Sequence, residues 1–392
     1  MRIGLFSEVY YPSIGGVATA ITTLKRGLEE LGHEVYIITT SYNDFRYCIE
    51  DNGHLIRLSG MKSNLYDFRI TGPMHHKAFT YLKSLNLDVI HIQTEFGVGM
   101  FGKSVAKSLK IPLIHTFHTL YTDDAYLNYV LGGNFKPLTK KAIEKYIKLF
   151  CSKSINAITV PSEKTKEILE NKYKIKRNIY VISNGIDLEK FNKSNFLESD
   201  INSLKKIYGI SKNDFILLFA GRVADEKNID FLIKNHTSII KKNKHVKLLI
   251  AGGGPALDKL KDLVKTLKLE KNVIFTDRID PKNMNRYYQL GNVFVTASTS
   301  ETQGLTTVEA LASSLPAFCI NDDSFKTTVI PNYNGDLFID NMDYIEKIIN
   351  IVNNKKLLRQ MVLNSRMSVD NYSAKGFASN MIKVYESCKK KR

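Results

Sequence analysis

The sequence predicts an α/β protein made of two doubly wound, Rossmann-like domains. Three observations point there. A chain of 392 residues suits two domains of ordinary size. Short apolar runs alternate with amphipathic stretches, the signature of strands and helices in turn. That alternation also comes in two series, separated by a polar, lysine-rich stretch from Leu188 to about Asp214 that reads as a domain junction.

The first series opens with an apolar run, Arg2 to Ser7, followed by Gly15-Gly16 in a loop. Val17, Ala20, Ile21, Leu24, Leu28 and Leu31 then recur at helical spacing, Gly32 stops the helix, and Val35 to Thr39 forms the next strand. Such a βαβ unit builds a parallel sheet with right-handed crossovers. Further strands are expected at Val89–Ile92, Leu113–Phe117, Ala157–Val160 and Ile179–Ile182, the last followed by the turn Asn184-Gly185-Ile186-Asp187. The second series predicts strands at Phe215–Ala220, Val246–Ala251, Val273–Phe275, Val293–Thr296 and Ala317–Ile320. Helices are expected between them at Ile229–Lys241, Ala256–Leu267, Pro281–Leu290 and Leu305–Ser314. The expected division is residues 1–185 and 186–375, with a helix over about 376–392 returning to the first domain. Ligands of such sheets bind beyond the carboxyl ends of the strands, so two sheets facing one another are expected to form a cleft.

Composition narrows the class. Apolar residues at 43% and charged residues at 24% describe a globular protein. No apolar run reaches the roughly 18 residues that cross a bilayer, and Ser7 and Glu8 break the apolar start where a signal peptide would continue. A cytoplasmic location is expected. Cys48, Cys151, Cys319 and Cys388 are widely spaced, which reads as idle thiols and as neither a metal site nor a disulfide framework. A formal charge of +17 favours anionic partners: nucleic acid, anionic lipid or phosphorylated small molecules. Nucleic acid is disfavoured, because the chain has no helix-turn-helix cue, zinc spacing or RNA-recognition aromatic motif.

Several constellations then bear chemistry. Gly15-Gly16 sits between a strand and a helix, where backbone N–H groups can cradle an anion; a plain tight turn is the bland alternative. The full Gly-x-Gly-x-x-Gly fingerprint is missing. Arg222 and Lys227, within Gly221-Arg222-Val223-Ala224-Asp225-Glu226-Lys227-Asn228, follow the first strand of the second series. A planar guanidinium and a point charge there suit a diphosphate, although solvated loop cations would look the same. In Glu301-Thr302-Gln303-Gly304-Leu305-Thr306-Thr307-Val308-Glu309-Ala310, two carboxylates flank a helix start. Glu301 can accept hydrogen bonds from sugar hydroxyls and Glu309 from a ribose diol. Gly304 would let the backbone approach a ligand, and the helix N-terminus at Leu305 favours phosphate. His115-Thr116-Phe117-His118-Thr119 ends a strand of the first series, with His115 and Phe117 on one face and Thr116 and His118 on the other.

Taken in this order and spacing, the Glu-x7-Glu motif and the upstream Gly-Arg…Glu-Lys-Asn resemble retaining glycosyltransferase family four, which has the GT-B fold. The resemblance extends over essentially the whole chain, including Asn184-Gly185-Ile186-Asp187 and Gly252-Gly253-Gly254-Pro255. It implies that Arg222 and Lys227 bind the donor diphosphate, with Gly15 and Gly16 nearby, that Glu301 contacts the transferred hexose, and that Glu309 contacts the ribose. His118 then matches the family's catalytic-pocket histidine, acting by positioning and charge stabilisation. Transfer would retain the anomeric configuration through an oxocarbenium-like state, with cations and helix dipoles stabilising the leaving diphosphate. No Asp-x-Asp occurs in the chain, so no essential metal is expected.

Within that family, Glu8-Val9-Tyr10-Tyr11-Pro12, His91-Ile92-Gln93-Thr94-Glu95-Phe96 and His115–Tyr121 look most like bacterial diacylglycerol glucosyltransferases; Gln93 departs from their pattern. The resemblance implies UDP-glucose as donor and diacylglycerol as acceptor. The chain would be peripheral on the inner face of the cell membrane. Lys136 to Lys153 could form a basic amphipathic helix lying on an anionic interface, or a core-packed helix with a lysine face, and aromatic residues between Tyr121 and Phe135 could line an acceptor entrance. Another acceptor (a glycosylated lipid, a soluble sugar or a polysaccharide) and a sugar-nucleotide binder without activity are the rival readings.

Overall fold

A computed structural model describes residues 1–12, 15–42, 46–62, 69–121, 137–152 and 154–389. The chain divides into two compact units, Met1–Ile186 with Tyr372–Arg392, and Asp187–Asn371.

The first unit runs β1 (Arg2–Phe6), α1 (Gly16–Glu30), β2 (Glu34–Thr40), β3 (Cys48–Glu50), β4 (Leu55–Leu58), β5 (Met61–Lys62), β6 (Arg69–Ile70), α2 (His76–Ser84) and β7 (Val89–Ile92). It continues with α3 (Gly97–Leu109), β8 (Leu113–Thr116), α4 (Pro137–Ser152), β9 (Ala157–Val160), α5 (Glu163–Glu167) and β10 (Ile179–Val181). Eight strands form one sheet in the order β10-β9-β8-β7-β1-β2-β4-β3. All neighbours are parallel except β3 against β4. Strand order reverses direction between β1 and β7, so the loops after these two strands flank the crevice where such sheets bind ligands.

Alternating side chains cover both faces of this sheet. Ile3 and Leu5 of β1 join Ile21, Leu24 and Leu28 of α1 on one side, while Phe6 joins Val98, Phe101 and Val105 of α3 on the other. Each fully buried aliphatic side chain contributes about 1.5–3 kcal/mol. Because this sheet is covered on both faces, both sets of side chains must be apolar, which is why its strands read as unbroken apolar runs.

The second unit holds α6 (Glu198–Ile207), β11 (Phe215–Ala220), α7 (Ile229–Lys242), β12 (Val246–Ala251), α8 (Leu257–Thr266), β13 (Val273–Phe275), α9 (Met284–Tyr288), β14 (Val293–Thr296), α10 (Leu305–Ala312), β15 (Ala317–Ile320), β16 (Gly335–Phe338), α11 (Asn341–Asn353) and α12 (Lys355–Met367). Its six strands are parallel in the order β13-β12-β11-β14-β15-β16, and the switch point falls between β11 and β14. The last helix, α13 (Ala374–Lys389), belongs to the first unit. It lies so close to α1 that a Cβ on Gly27 would sit 2.0 Å from the Ala374 carbonyl. Where the chain leaves and re-enters this unit, Ile186 N donates to Tyr372 O at 2.8 Å.

Two sequence expectations need correction. The stretch from Leu188 to about Asp214 is no bare junction: Leu188 and Phe191 are buried, α6 lies within it, and Asn285 Nδ2 donates to Lys190 O at 2.9 Å. Its lysines hid a few anchoring apolar residues. The single helix expected over Pro281–Leu290 is a 3-10 turn, Pro281–Asn283, which Asp280 caps by accepting from Lys282 N at 2.9 Å, followed by the short α9. The cysteines are free; Cys151, Cys319 and Cys388 are buried and Cys48 is half-buried.

Candidate active site

In the second unit, the loop after β11 is fixed by the glycine turn after β12. Gly252 has φ +141°, and a Cβ there would lie 2.0 Å from Gly221 O; one on Gly254 would lie 2.2 Å from Val223 O. Gly221 N donates to Ala251 O and Val223 N to Gly253 O, both at 3.0 Å. Only residues without a side chain allow two strand-end loops this close. From Arg222 the chain makes a 3-10 turn, Asp225–Lys227, and enters α7 through Asn228 in the left-handed conformation, φ 52°. Ser300 Oγ donates to Glu226 O at 3.3 Å, tying this loop to the one after β14. The loops on either side of the switch point are thus joined, and Lys227 Nζ donates to Glu301 Oε1 at 2.6 Å. Arg222 pairs with Glu226 of the 3-10 turn that follows it.

Glu301 leads directly into α10. Gly304, the residue before the helix, has φ +73°, and a Cβ there would meet the Phe325 ring at 2.5 Å. The glycine is therefore demanded by its own backbone and by Phe325, a different reason from the ligand approach expected from sequence. Leu305 starts the helix half-buried, in a first turn where Thr307 N donates to Gly304 O at 2.9 Å. Helical side chains lean toward the N-terminus, so Glu309 points back to that end. Its Oε2 accepts from Tyr288 Oη at 2.7 Å. Burial raises the Glu309 pKa to about 7, and the Tyr288 hydrogen bond offsets part of the rise. This end of the sheet therefore carries two cations, Arg222 and Lys227, and three carboxylates, Glu226, Glu301 and Glu309, near a helix N-terminus. The N-terminus with basic side chains beside it suits an anion, and the carboxylates suit its hydroxyl groups.

In the first unit, Gly15 and Gly16 open α1. A Cβ on either would meet nothing within 4 Å, and Gly15 is extended at φ 166°. Packing against the described residues does not require glycine here, and both glycines are exposed. His118 lies just past β8, half-buried, with Nε2 2.8 Å from Gln93 Oε1. An amide oxygen can only accept, so Nε2 carries the proton. Burial, together with the neighbouring His115, lowers the His118 pKa to about 3, which keeps the ring neutral. His115 behaves oppositely. Burial works against its charge, but the Cys151 thiol and the Glu95 carboxylate, whose Oε1 is 3.2 Å from Nε2, raise its pKa to about 10. Its ring also meets Phe117 edge-on at 6.3 Å. Thr116 faces away from it and shares hydrogen bonds with His91 and Thr159.

Sequence reasoning missed several partners. Glu226 stands four residues after Arg222, but the residues between form a loop entering a 3-10 turn, so helical spacing gave no signal for the pair. Glu8 caps α3 by accepting from Val98 N and Thr94 Oγ1, and burial raises its pKa. Tyr288 stands 21 residues before Glu309 with no motif between them. Among the described residues, no group of three or more His, Cys, Asp or Glu side chains is arranged to hold a metal ion. The aromatic segment expected to line an acceptor entrance lies, after Tyr121, outside the described residues.

Two doubly wound, almost wholly parallel sheets with charged strand-end loops at the switch point define an α/β protein of two Rossmann-like domains. Residues 14–190 match Glycosyltransferase Family 4, and residues 200–368 match glycosyl transferases group 1. The chain is 36% identical over 351 residues to an alpha-monoglucosyldiacylglycerol synthase of Streptococcus pneumoniae, covering 89% of this chain and 78% of that protein. It is 35% identical to the alpha-monoglucosyldiacylglycerol synthase of Acholeplasma laidlawii, covering 98% of this chain and 96% of that one. Among solved structures, a Rickettsia africae glycosyltransferase superposes with TM-score 0.74 at 18% identity, covering 99% of this chain and 98% of that one. Anabaena HepE, solved with UDP and glucose, gives 0.73 at 15%, covering 99% and 100%. The chain belongs to glycosyltransferase family four and has its two-domain GT-B fold.

Proposed function

We propose that the chain is a retaining glucosyltransferase that moves glucose from UDP-glucose to the free hydroxyl of diacylglycerol at an anionic membrane surface. The observation that carries the acceptor is the 35% identity to a monoglucosyldiacylglycerol synthase over 98% of this chain. Arg222 and Lys227 bind the diphosphate, aided by the amides at Gly304 and Leu305. Glu301 orients the hexose and Glu309 the ribose. Gly15 and Gly16 add amides toward the phosphates, and His118 steadies the reacting sugar as a neutral hydrogen-bonding ring.

In the transfer, the bond from the anomeric carbon to the diphosphate oxygen breaks. A bond to the acceptor oxygen forms on the same face, and the acceptor proton passes to the departing phosphate. Lys227 and Arg222 stabilise the charge that develops on the diphosphate. The Lys227–Glu301 pair at 2.6 Å supports this reading, because it couples the phosphate cation to the hexose-binding carboxylate.

The membrane reading rests on exposed apolar and basic side chains of the first unit. On α4, Tyr146 and Leu149 are exposed beside Lys141, Lys145 and Lys148, while Ile147, Phe150 and Cys151 face the core. Lys136 and Lys153, the ends of the stretch read from sequence, lie outside the described residues. Met61 and Ile70 stand opposite one another on β5 and β6, both exposed, and the backbone at Thr71 abuts Gly97 at the start of α3, beside exposed Phe96 and Met100. Apolar groups with lysines around them suit an interface carrying anionic lipid. Among the described residues, no helix is long and apolar enough to cross a membrane.

The test is incubation with UDP- and GDP-sugars and diacylglycerol in mixed micelles, with products read by mass and anomeric configuration by NMR. An α-glucosyl lipid formed from UDP-glucose supports the reading. Turnover of a soluble acceptor with none of the lipid would overturn it.

A further inference from the structure

Tyr288 is a wholly buried tyrosine whose hydroxyl sits 2.7 Å from Glu309 Oε2 and 3.3 Å from Thr306 O. Its ring is fixed edge-on against Phe191, with centroids 5.6 Å apart, and is tilted against Phe294 at 6.4 Å. Burial and the adjoining Glu309 charge hold its phenol pKa well above the usual value, so the hydroxyl remains a donor at any working pH. A carboxylate offers about four lone-pair sites on its two oxygens. Tyr288 takes one of them, on Oε2. That leaves both sites of Oε1 and one of Oε2, enough for two vicinal hydroxyls, on a carboxylate anchored at Oε2.

We propose that Tyr288 is a positioning residue for the nucleotide: it orients Glu309 so that the carboxylate meets the ribose 2′- and 3′-hydroxyls together. The inference rests on the reading of Glu309 as the ribose contact. It explains why a glutamate four residues into α10 is braced by a tyrosine from α9, a helix of no other chemical consequence to the site. The brace acts on donor binding and leaves the reacting sugar untouched.

The experiment measures UDP and 2′-deoxy-UDP binding by calorimetry on the full chain, for wild type, Tyr288→Phe, Glu309→Gln and the double variant. Wild type should prefer UDP over 2′-deoxy-UDP. Tyr288→Phe should weaken UDP binding about tenfold and weaken 2′-deoxy-UDP binding much less. Donor KM should rise by a similar factor while kcat at saturating donor stays within about twofold. Added to Glu309→Gln, the second substitution should cost little more, since the two act as a unit. Equal losses for both nucleotides, or additive losses in the double variant, would overturn the role of Tyr288. Unchanged UDP affinity in Glu309→Gln would instead remove the ribose reading beneath it.

Discussion

Replacing Gly252 with alanine tests how the cation-bearing loop is held. Its φ of +141° lies in a region alanine rarely adopts, a strain of about 1–3 kcal/mol. The new Cβ would also sit 2.0 Å from Gly221 O. Relief requires Gly221 to retreat by roughly 1 Å, which disturbs the 3.0 Å bond from Gly221 N to Ala251 O and adds about 1 kcal/mol. The total is about 3 kcal/mol, or roughly 6–12 °C in melting temperature for a unit of this size. Because Arg222 follows Gly221 directly, UDP affinity should fall as well. Gly32→Ala is the control: φ is +78°, but nothing lies within 4 Å of the added carbon, so only strain of about 1 kcal/mol is expected. Differential scanning calorimetry with UDP titration reads both effects. If Gly252→Ala melts within about 2 °C of wild type, or no lower than Gly32→Ala, the abutment of the two loops does not fix the site.

Further outcomes follow from the same geometry. Lys227→Ala should lower kcat/KM about 100- to 1000-fold in a steady-state assay. Its melting temperature should fall as well, since the pair with Glu301 is mostly buried, at 21% and 19% exposure, and removing the lysine leaves the carboxylate without this partner. His118→Asn should lower kcat about 100-fold. The wild-type rate profile should show no inflection from His118 between about pH 5 and 9, because a ring whose pKa is about 3 is already neutral there. His115 is the opposite case: its folded pKa of about 10 lies above the unfolded value of about 6.5. The stability it contributes is complete below about pH 6.5 and is lost as pH rises through about 10. Thermal melts of wild type minus His115→Gln should show that decline, and a flat difference would contradict it.

Much of this architecture was legible in the sequence because buried parallel strands are written as apolar runs. Phe215–Ala220, Val246–Ala251 and Ala317–Ile320 all begin and end where the pattern placed them. The edge elements were not legible. β16 carries Asp336, and β3 is a three-residue strand with two exposed members, so neither shows the core signal. At the candidate site, the motif residues were found by their spacing along the loops after β11 and β14. Their braces were not, because Tyr288 reaches Glu309, and Gln93 reaches His118, only through the packing of separate elements. Gly304 shows the same limit. Its position in the motif was clear, yet the Phe325 ring that demands it is contributed from beyond β15.

The most direct test of the donor site is a crystal structure of the chain with UDP. The account predicts the diphosphate within hydrogen-bond distance of Arg222 and Lys227, and the ribose hydroxyls on Glu309 while Tyr288 still holds Oε2. Electron density for UDP away from the loops after β11 and β14, with Glu309 untouched, would contradict it.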